Sequence, residues 1–207
     1  MKKFLTVLVV ALATAAAAHA QFGIVGGYTN SKTGLDASLL DIKSMSQFHA
    51  GIAYKIGLGS FFALQPSLTY EVKGVNLQGG QNFDPAVLKS GFVELGVGAQ
   101  LGLDLLAFRP FLVAQPFVGY QVYGGELKDD VSKTLAEVRN KLEYGFGVGA
   151  GVELLRHIQL SFQWFMNLGN LYNRGQLDAA QVSQTVKDNY KDIKNYQGIK
   201  VSLGLFF

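Results

Sequence analysis

Few residues of this 207-residue chain could perform catalysis. The absence of cysteine excludes cysteine nucleophiles, thiolate zinc sites and a disulfide framework. Of the three histidines, His19 lies in a leader-like segment, which leaves His49 and His157. Hydrolysis needs a nucleophile, a base and a group that orients the base, and the sequence fixes no serine beside His49. Since no HExxH motif, phosphate-binding loop or recognisable pair of catalytic carboxylates occurs, the sequence predicts no enzyme, no metal site and no cofactor.

Seven charged residues are notable because each lies on the more polar face of a segment whose other face is apolar. They are Lys55, Glu71, Lys73, Glu94, Glu143, Glu153 and Lys200. If that face lines a narrow interior, an isolated charge is costly there, so the charges should pair or stay hydrated. The favoured interpretation is a plug of salt bridges, with Glu71 or Lys73 next to Glu94. The alternative is an ion path, in which Glu94→Gln would abolish ion-selective conductance.

The elements that must hold these charges are strands, because apolar and polar residues alternate with a period of two along the chain. In IQLSFQWFMNLG (residues 158–169), every second residue from Ile158 to Leu168 is apolar. In YGFGVGAGV (residues 144–152), one face is uniformly apolar and the other is glycine alone. A dinucleotide-binding loop is excluded for this stretch, since its glycines alternate along a strand and no helix follows.

Eight such segments occur, and the links between them alternate in length. Short links lie at 57–60, 104–108 and 155–157, and longer polar links at 30–47, 76–90, 125–141 and 173–195. All tight turns then lie at one end of an up-and-down antiparallel sheet, and helix-like patches in the last two long links predict short helices. Pro66 and Pro116 recur in an F-x-x-x-Q-P-x-x-x-Y pattern, and we expect a bulge or widened pairing near each.

The composition of the two faces indicates which of them points outward. A soluble lipocalin-like barrel would turn the apolar face inward and hydrate the other. Here the other face is mostly small or uncharged polar residues, which suits a narrow lumen and leaves the apolar face to lipid. About ten residues of about 3.3 Å, tilted by about 40°, cover the roughly 25 Å apolar band of an outer membrane. The predicted fold class is all-β, an eight-stranded antiparallel up-and-down transmembrane β-barrel.

Aromatic residues on the apolar face agree with this orientation, because amphipathic rings gather at the two membrane interfaces. The expected girdle at the long-link end comprises Tyr28, Tyr70, Tyr120, Tyr144 and Tyr172, and the girdle at the short-turn end comprises Phe22 and Phe62, with Phe207 nearby.

The first twenty residues have the pattern of a secretory signal peptide. Lys2 and Lys3 precede an apolar run that ends in Ala18-His19-Ala20, which predicts cleavage between Ala20 and Gln21. Residues 1–20 are therefore a leader and residues 21–207 the barrel domain. Removing Lys2 and Lys3 leaves 16 basic against 15 acidic residues. Since no basic patch interleaved with aromatics occurs, nucleic acid is not an expected partner.

The chain resembles the small outer-membrane β-barrel domain family often called PorT-like, of the eight-stranded OmpA/OmpX type. The resemblance rests on FFALQPSLTYEVKGV, on the glycine-alternating VELGVGAQLGL and YGFGVGAGVEL, and on the ending KVSLGLFF. It implies that the last strand is the signal read by the outer-membrane assembly machinery. The residues that take this role by resemblance are Ile199, Val201, Leu203, Leu205 and Phe207.

These features predict a monomer in the outer membrane, with its ends and short turns in the periplasm and four long loops outside. The expected role is structural or a surface interaction through the loops, with a narrow or plugged lumen. A small porin-like ion or solute channel is the alternative, and a soluble periplasmic lipocalin-like carrier is a third. The expected partners are outer-membrane lipid, the assembly machinery and a surface partner of the loops.

Overall fold

A computed structural model describes residues 20–33, 41–78, 86–124, 140–169 and 196–207. They form eight strands: β1 (Ala20–Thr33), β2 (Asp41–Leu58), β3 (Phe62–Gln78), β4 (Ala86–Gly102), β5 (Phe108–Gly124), β6 (Leu142–Leu154), β7 (Ile158–Asn167) and β8 (Tyr196–Phe206). Each strand pairs antiparallel with the next, and β8 pairs with β1, so the sheet closes into a barrel. The prediction of a closed eight-stranded antiparallel barrel is confirmed. In the described ranges, no helix is long and apolar enough to cross a membrane.

The three tight turns lie at one end of the barrel, where the sequence predicted them, but two of the long links are shorter than expected. The pairing of β1 with β2 continues through Ser31↔Met45, and β3 pairs with β4 through Leu77↔Ala86. The expected loops at 30–47 and 76–90 are therefore largely strand, and only residues 34–40 and 79–85 separate these elements. The extensions were missed because the alternation is broken there: Ile42 and Met45 are three positions apart, and residues 86–88 are apolar in succession. The patches expected to be helical, at 129–141 and 177–194, lie almost wholly outside the described residues.

The two faces of the sheet are oriented as the sequence predicted. Apolar side chains such as Ile24, Leu68, Leu112 and Phe162 are exposed on the outer wall. The positions between them face the lumen, where charged and polar side chains are buried. A lipocalin-like carrier would require the opposite orientation.

The glycine-only face of β6 lies against β7 and the lumen. A Cβ at Gly145 would overlap the carbonyl oxygen of Met166, and one at Gly149 would overlap the carbonyl oxygen of Phe162. At Gly151 it would overlap the ring of Phe111. Glycine on this face thus permits the two backbones to approach closely and leaves lumen space for aromatic rings.

The two prolines do not cause register shifts. The β2–β3 ladder lacks the two pairs at Gln65 and Pro66 but keeps the same register on both sides, and the β4–β5 ladder does the same at Gln115 and Pro116. On the other side of each proline-containing strand, the β3–β4 and β5–β6 ladders are continuous. Because proline has no N–H to donate, the widened pairing occurs on one side of each proline. True register shifts occur elsewhere, between Ser44 and His49 and at Gly91–Phe92.

Candidate functional site

The lumen near the long loops holds a group of five buried charges, which we call the loop-side cluster: Glu71, Lys73, Glu94, Glu143 and Lys200. The Nζ atom of Lys73 lies 2.7 Å from Glu143 Oε1, 3.0 Å from Glu94 Oε2 and 3.5 Å from Glu71 Oε2. Lys73 has no solvent exposure. Its single ammonium group thus joins carboxylates from β3, β4 and β6 across the lumen.

Lys200 supplies the second ammonium group of the loop-side cluster. Its Nζ atom lies 2.7 Å from Glu71 Oε2 and 2.9 Å from Glu94 Oε1. Asn167 on β7 donates to Glu143 Oε2 at 2.5 Å. A buried carboxylate is tolerated when opposite charges and hydrogen bonds compensate for lost hydration, and the described contacts do this for all three glutamates.

Aromatic rings enclose the two ammonium groups. Lys73 Nζ lies 5.4 Å from the ring centre of Phe92, 4.9 Å from that of Phe117 and 5.1 Å from that of Phe165. Lys200 Nζ lies 5.2 Å from the Phe117 ring and 5.0 Å from the Phe165 ring. Cations at these distances are attracted to ring faces. Since Phe117 belongs to β5, rings and charges from β3 to β8 meet in one layer.

His49 connects the remaining strands to this layer. Its Nδ1 atom lies 2.9 Å from Thr29 Oγ1 on β1, and Thr29 donates to Glu71 Oε1 at 3.1 Å. Its Nε2 atom lies 2.9 Å from Ser202 Oγ on β8. The sequence fixes no serine beside His49, and the structure places Ser202 there. Ser202 lies 153 positions away, and only barrel closure brings it there.

The distance between Ser202 and His49 is that of a nucleophile and its base, but the surrounding space decides what it can do. The adjoining lumen cavity has a volume of about 50 Å³, which is room for a few water molecules. The hydrogen bonds of His49 to Ser202 and Thr29 connect β2 with β8 and β1. Within the described part of the chain, no group of His, Asp and Glu side chains could hold a metal ion.

Nearer the tight turns is a second group, the turn-side cluster of Lys55, Arg109 and Glu153. Lys55 Nζ lies 2.5 Å from Glu153 Oε1, and Arg109 Nη1 lies 3.7 Å from Glu153 Oε2. Arg109 also donates to Gln100 Oε1 at 3.0 Å. Charged side chains therefore cross the lumen at two levels.

The cavity lies between the two clusters. Its lining includes Glu94 and Lys200 from the loop-side cluster. Toward the turns it is lined by Gln65 and Gln159, whose side-chain oxygens accept hydrogen bonds from Gln100 at 2.6 and 3.5 Å. The bore thus contains a small polar chamber with a charged layer on each side.

The structure places the other predicted residues as follows. The girdle candidates Phe22, Tyr28, Phe62, Tyr70, Tyr120 and Tyr144 are all exposed on the outer wall, whereas Tyr172 lies outside the described residues. Val201, Leu203, Leu205 and Phe207 are exposed, and Ile199 is half-buried. Ala20 and Gln21 begin β1, and His157 lies exposed in the β6–β7 turn.

Several lumen residues were missed by sequence reasoning, which predicted an interior of small and polar side chains. The missed residues are Phe92, Phe111, Phe117, Tyr196 and Phe206, all buried in the lumen. Phe165 is also buried there, and the alternation in β7 had placed it on the inward face. Alternation could not identify Phe111 and Phe117 because both faces of β5 are apolar. Arg109 was missed because it directly follows the short link expected at 104–108 and precedes the alternation that starts at Phe111. Extending the alternation from Phe111 by two residues toward the N-terminus would have placed the Arg109 side chain in the lumen.

Comparison with known proteins gives the following similarities. The family profile described as "Outer membrane protein beta-barrel domain" matches residues 15–173. Neisserial surface protein A (NspA) is 16% identical with a TM-score of 0.45, over 89% of this chain and 95% of that one. Ail, the attachment invasion locus protein of Yersinia pestis, solved with the heparin analogue sucrose octasulfate, is 11% identical with a TM-score of 0.45, over 91% and 99%. No curated protein matches the sequence. Because the profile spans well over half of a closed eight-stranded barrel, the chain belongs to the outer membrane protein β-barrel domain family.

Proposed function

We propose that this outer-membrane barrel is closed to ions and serves as a rigid monomeric base for long loops at the cell surface. The observation that carries the proposal is the loop-side cluster. Its ion pairs, with the hydrogen bonds of Thr29, His49 and Asn167 and the ring of Phe117, engage side chains from all eight strands. A layer so connected has no mobile group that an ion could displace at low cost.

Planar-bilayer conductance tests the closure. The wild-type protein should give no steady openings. The Lys73→Ala variant should open a path, because it removes the ammonium side chain that fills the centre of the loop-side cluster. Lys89→Ala, at an exposed position of β4, is the matched control and should stay silent. Steady, ion-selective openings of the wild type that are lost in Glu94→Gln would replace the proposal with the channel function.

A small channel is the second candidate, and one observation favours it. The cavity of about 50 Å³ is lined mainly by amide, hydroxyl and charged side chains, and polar linings hold water. Conduction would require both charged layers to open at once. The same bilayer experiment separates the two functions.

The proposal also includes export through a cleaved leader and insertion with the short turns in the periplasm and the long links outside. The chain has no cysteine, so single-cysteine variants report location without background. Lys133→Cys, in the β5–β6 link, should react with a membrane-impermeant maleimide on intact cells. Ser60→Cys, in the β2–β3 turn, should react only after the outer membrane is permeabilised. The reverse pattern would invert the topology.

The surface-interaction role is tested by exchanging residues 170–195 for a short glycine-serine link. The barrel should retain its heat-modifiable migration in detergent gels. The exchange is made in the Lys133→Cys variant, whose thiol is cross-linked to neighbouring proteins in whole cells. If residues 170–195 take part in binding, these cross-linked products should disappear. Residues 34–40 and 79–85 are exchanged in the same way in separate variants. If none of the exchanges changes the cross-linking pattern, the barrel wall and not the loops would be the functional part.

A further inference from the structure

The tight-turn end of the barrel exposes large apolar side chains where polar turn residues would be expected. Leu106 is fully exposed, and Leu155 is 68% exposed. The set of exposed apolar residues at this rim comprises Phe61, Leu103, Leu105, Leu106, Leu155 and Phe207. Exposed apolar surface of this kind marks a contact surface.

The backbone at two of these leucines is strained. Leu106 has a φ of 52°, and Leu155 and Arg156 have φ values of 51° and 62°. His157 N donates to the carbonyl oxygen of Leu154 at 3.0 Å, so Leu155 and Arg156 are the central residues of a two-residue hairpin turn. Asn-Gly is the usual choice at such positions because both φ values are positive. Gly59, in the β2–β3 turn, has a φ of 79° without this penalty. Leucines thus occupy turn positions at 106 and 155 that glycine or asparagine would adopt with less strain.

The length of the apolar wall shows what lies at this rim. On the outer side of β2, apolar residues run from Phe48 to Leu58, ten residue steps. At about 3.3 Å per step and a tilt of about 40°, they span about 25 Å along the barrel axis, which equals the apolar band of an outer-membrane barrel. Above Phe48 the outer wall of β1 and β2 becomes polar. Tyr28 Oη lies 2.6 Å from Ser46 Oγ, and Asn30 donates to Tyr28 Oη at 3.3 Å.

The lower boundary of the band then falls where β2 ends, at Leu58. No polar side chain separates this boundary from Phe61 except Ser60. We propose that the tight-turn rim is a lipid-contact surface, in which Leu105, Leu106 and Leu155 insert into the boundary between headgroups and acyl chains of the periplasmic leaflet. Arg156, next to Leu155, lies where it would meet lipid phosphate groups. The inference does not depend on whether the lumen conducts.

Tryptophan fluorescence in lipid nanodiscs tests this inference, since both membrane faces are open to a water-soluble quencher. Trp164 is the only tryptophan, so a Trp164→Phe background with Leu106→Trp reports on the rim alone. The lipid probe is phosphatidylcholine with brominated acyl chains, and the aqueous probe is iodide. The expected result is quenching by the brominated lipid that is several-fold stronger than quenching by iodide.

Lys32→Trp in the same background is the matched control, because Lys32 is exposed beyond the polar boundary at Asn30. It should be quenched by iodide and little by the brominated lipid. Leu155→Trp gives an independent measurement of the rim and should behave as Leu106→Trp does. If both rim variants were quenched like the Lys32→Trp protein, the turns would project into water and the inference would be overturned.

Discussion

The ammonium group of Lys73 lies 2.7 Å from a carboxylate oxygen of Glu143, although the two residues are 70 positions apart on the non-adjacent strands β3 and β6. This pair crosses the lumen, as does the pair of Lys200 with Glu71. Neither pair is a ladder neighbour. They therefore tie opposite walls together, which backbone hydrogen bonds within the sheet do not.

Removing Lys73 should strongly destabilise the barrel. Lys73→Met leaves three buried carboxylates with Lys200 as the nearby cation of the loop-side cluster, and breaking a buried pair in this way costs about 3–5 kcal/mol. The free energy of unfolding from lipid vesicles in urea measures the loss. Lys89→Met, at an exposed lysine, should change it by less than about 0.5 kcal/mol.

Neutralising a carboxylate should restore part of that loss. In the double variant Lys73→Met/Glu143→Gln, the Glu143 carboxylate that lost its ammonium partner is replaced by a neutral amide. The losses in unfolding free energy of the two single variants should therefore be non-additive by about 1–3 kcal/mol. The measurement is a double-mutant cycle of urea unfolding. Strict additivity would mean that Lys73 and Glu143 do not interact energetically.

Two lumen glycines should respond differently to the same substitution. A Cβ at Gly149 would overlap the backbone of β7, whereas one at Gly98 would lie 3.4 Å from Val113 Cγ2, an ordinary contact. Gly149→Ala should therefore cost about 1–3 kcal/mol, as overpacking does. Gly98→Ala should be neutral or slightly stabilising, because alanine restricts the unfolded chain. Thermal shifts of the folded band in detergent gels would rank the two variants, and equal shifts would contradict the explanation given for the glycine face.

The last two phenylalanines should separate stability from assembly. Phe206 is buried in the lumen, where the centre of its ring lies 5.8 Å from Lys55 Nζ, whereas Phe207 is exposed. Phe206→Ala should lower the free energy of unfolding by about 3 kcal/mol. Phe207→Ala should leave refolding in vitro nearly unchanged but reduce the amount of folded barrel in cells. If Phe207→Ala accumulated normally in the outer membrane, the assembly role assigned by resemblance would be wrong.

The single tryptophan reports directly on the orientation of the sheet. Trp164 points outward on β7, beside the ring of Phe146 at 6.3 Å. Brominated lipid should quench its fluorescence, and iodide should not until urea unfolds the protein. Quenching by iodide in the folded state would place Trp164 on the water-facing side.

The period of two was sufficient to predict the strands, the outward apolar face and the inward direction of the seven charges. It could not predict that Lys73 meets Glu143 or that Ser202 meets His49, because these contacts depend on closure and register rather than on neighbours in the chain. The extension of β2 back to Asp41 was missed because the apolar alternation is broken between Ile42 and Met45. Phe117 was missed as a lumen residue because both faces of β5 are apolar, and Phe92 because it precedes the clear alternation of β4. Both rings pack beside Lys73.

The position of Lys200 on β8 has a consequence for how the barrel folds. Its partners Glu71 and Glu94 lie on β3 and β4, so these pairs form only when β8 has joined β1. A sheet inserted with an open seam would hold unneutralised carboxylates in a medium of low dielectric constant. Intermediates in which β8 has not yet paired with β1 are thereby disfavoured. Membrane insertion and barrel closure should therefore proceed as one cooperative step. Trp164 fluorescence and the gel shift of the folded form should then follow the same rate constant.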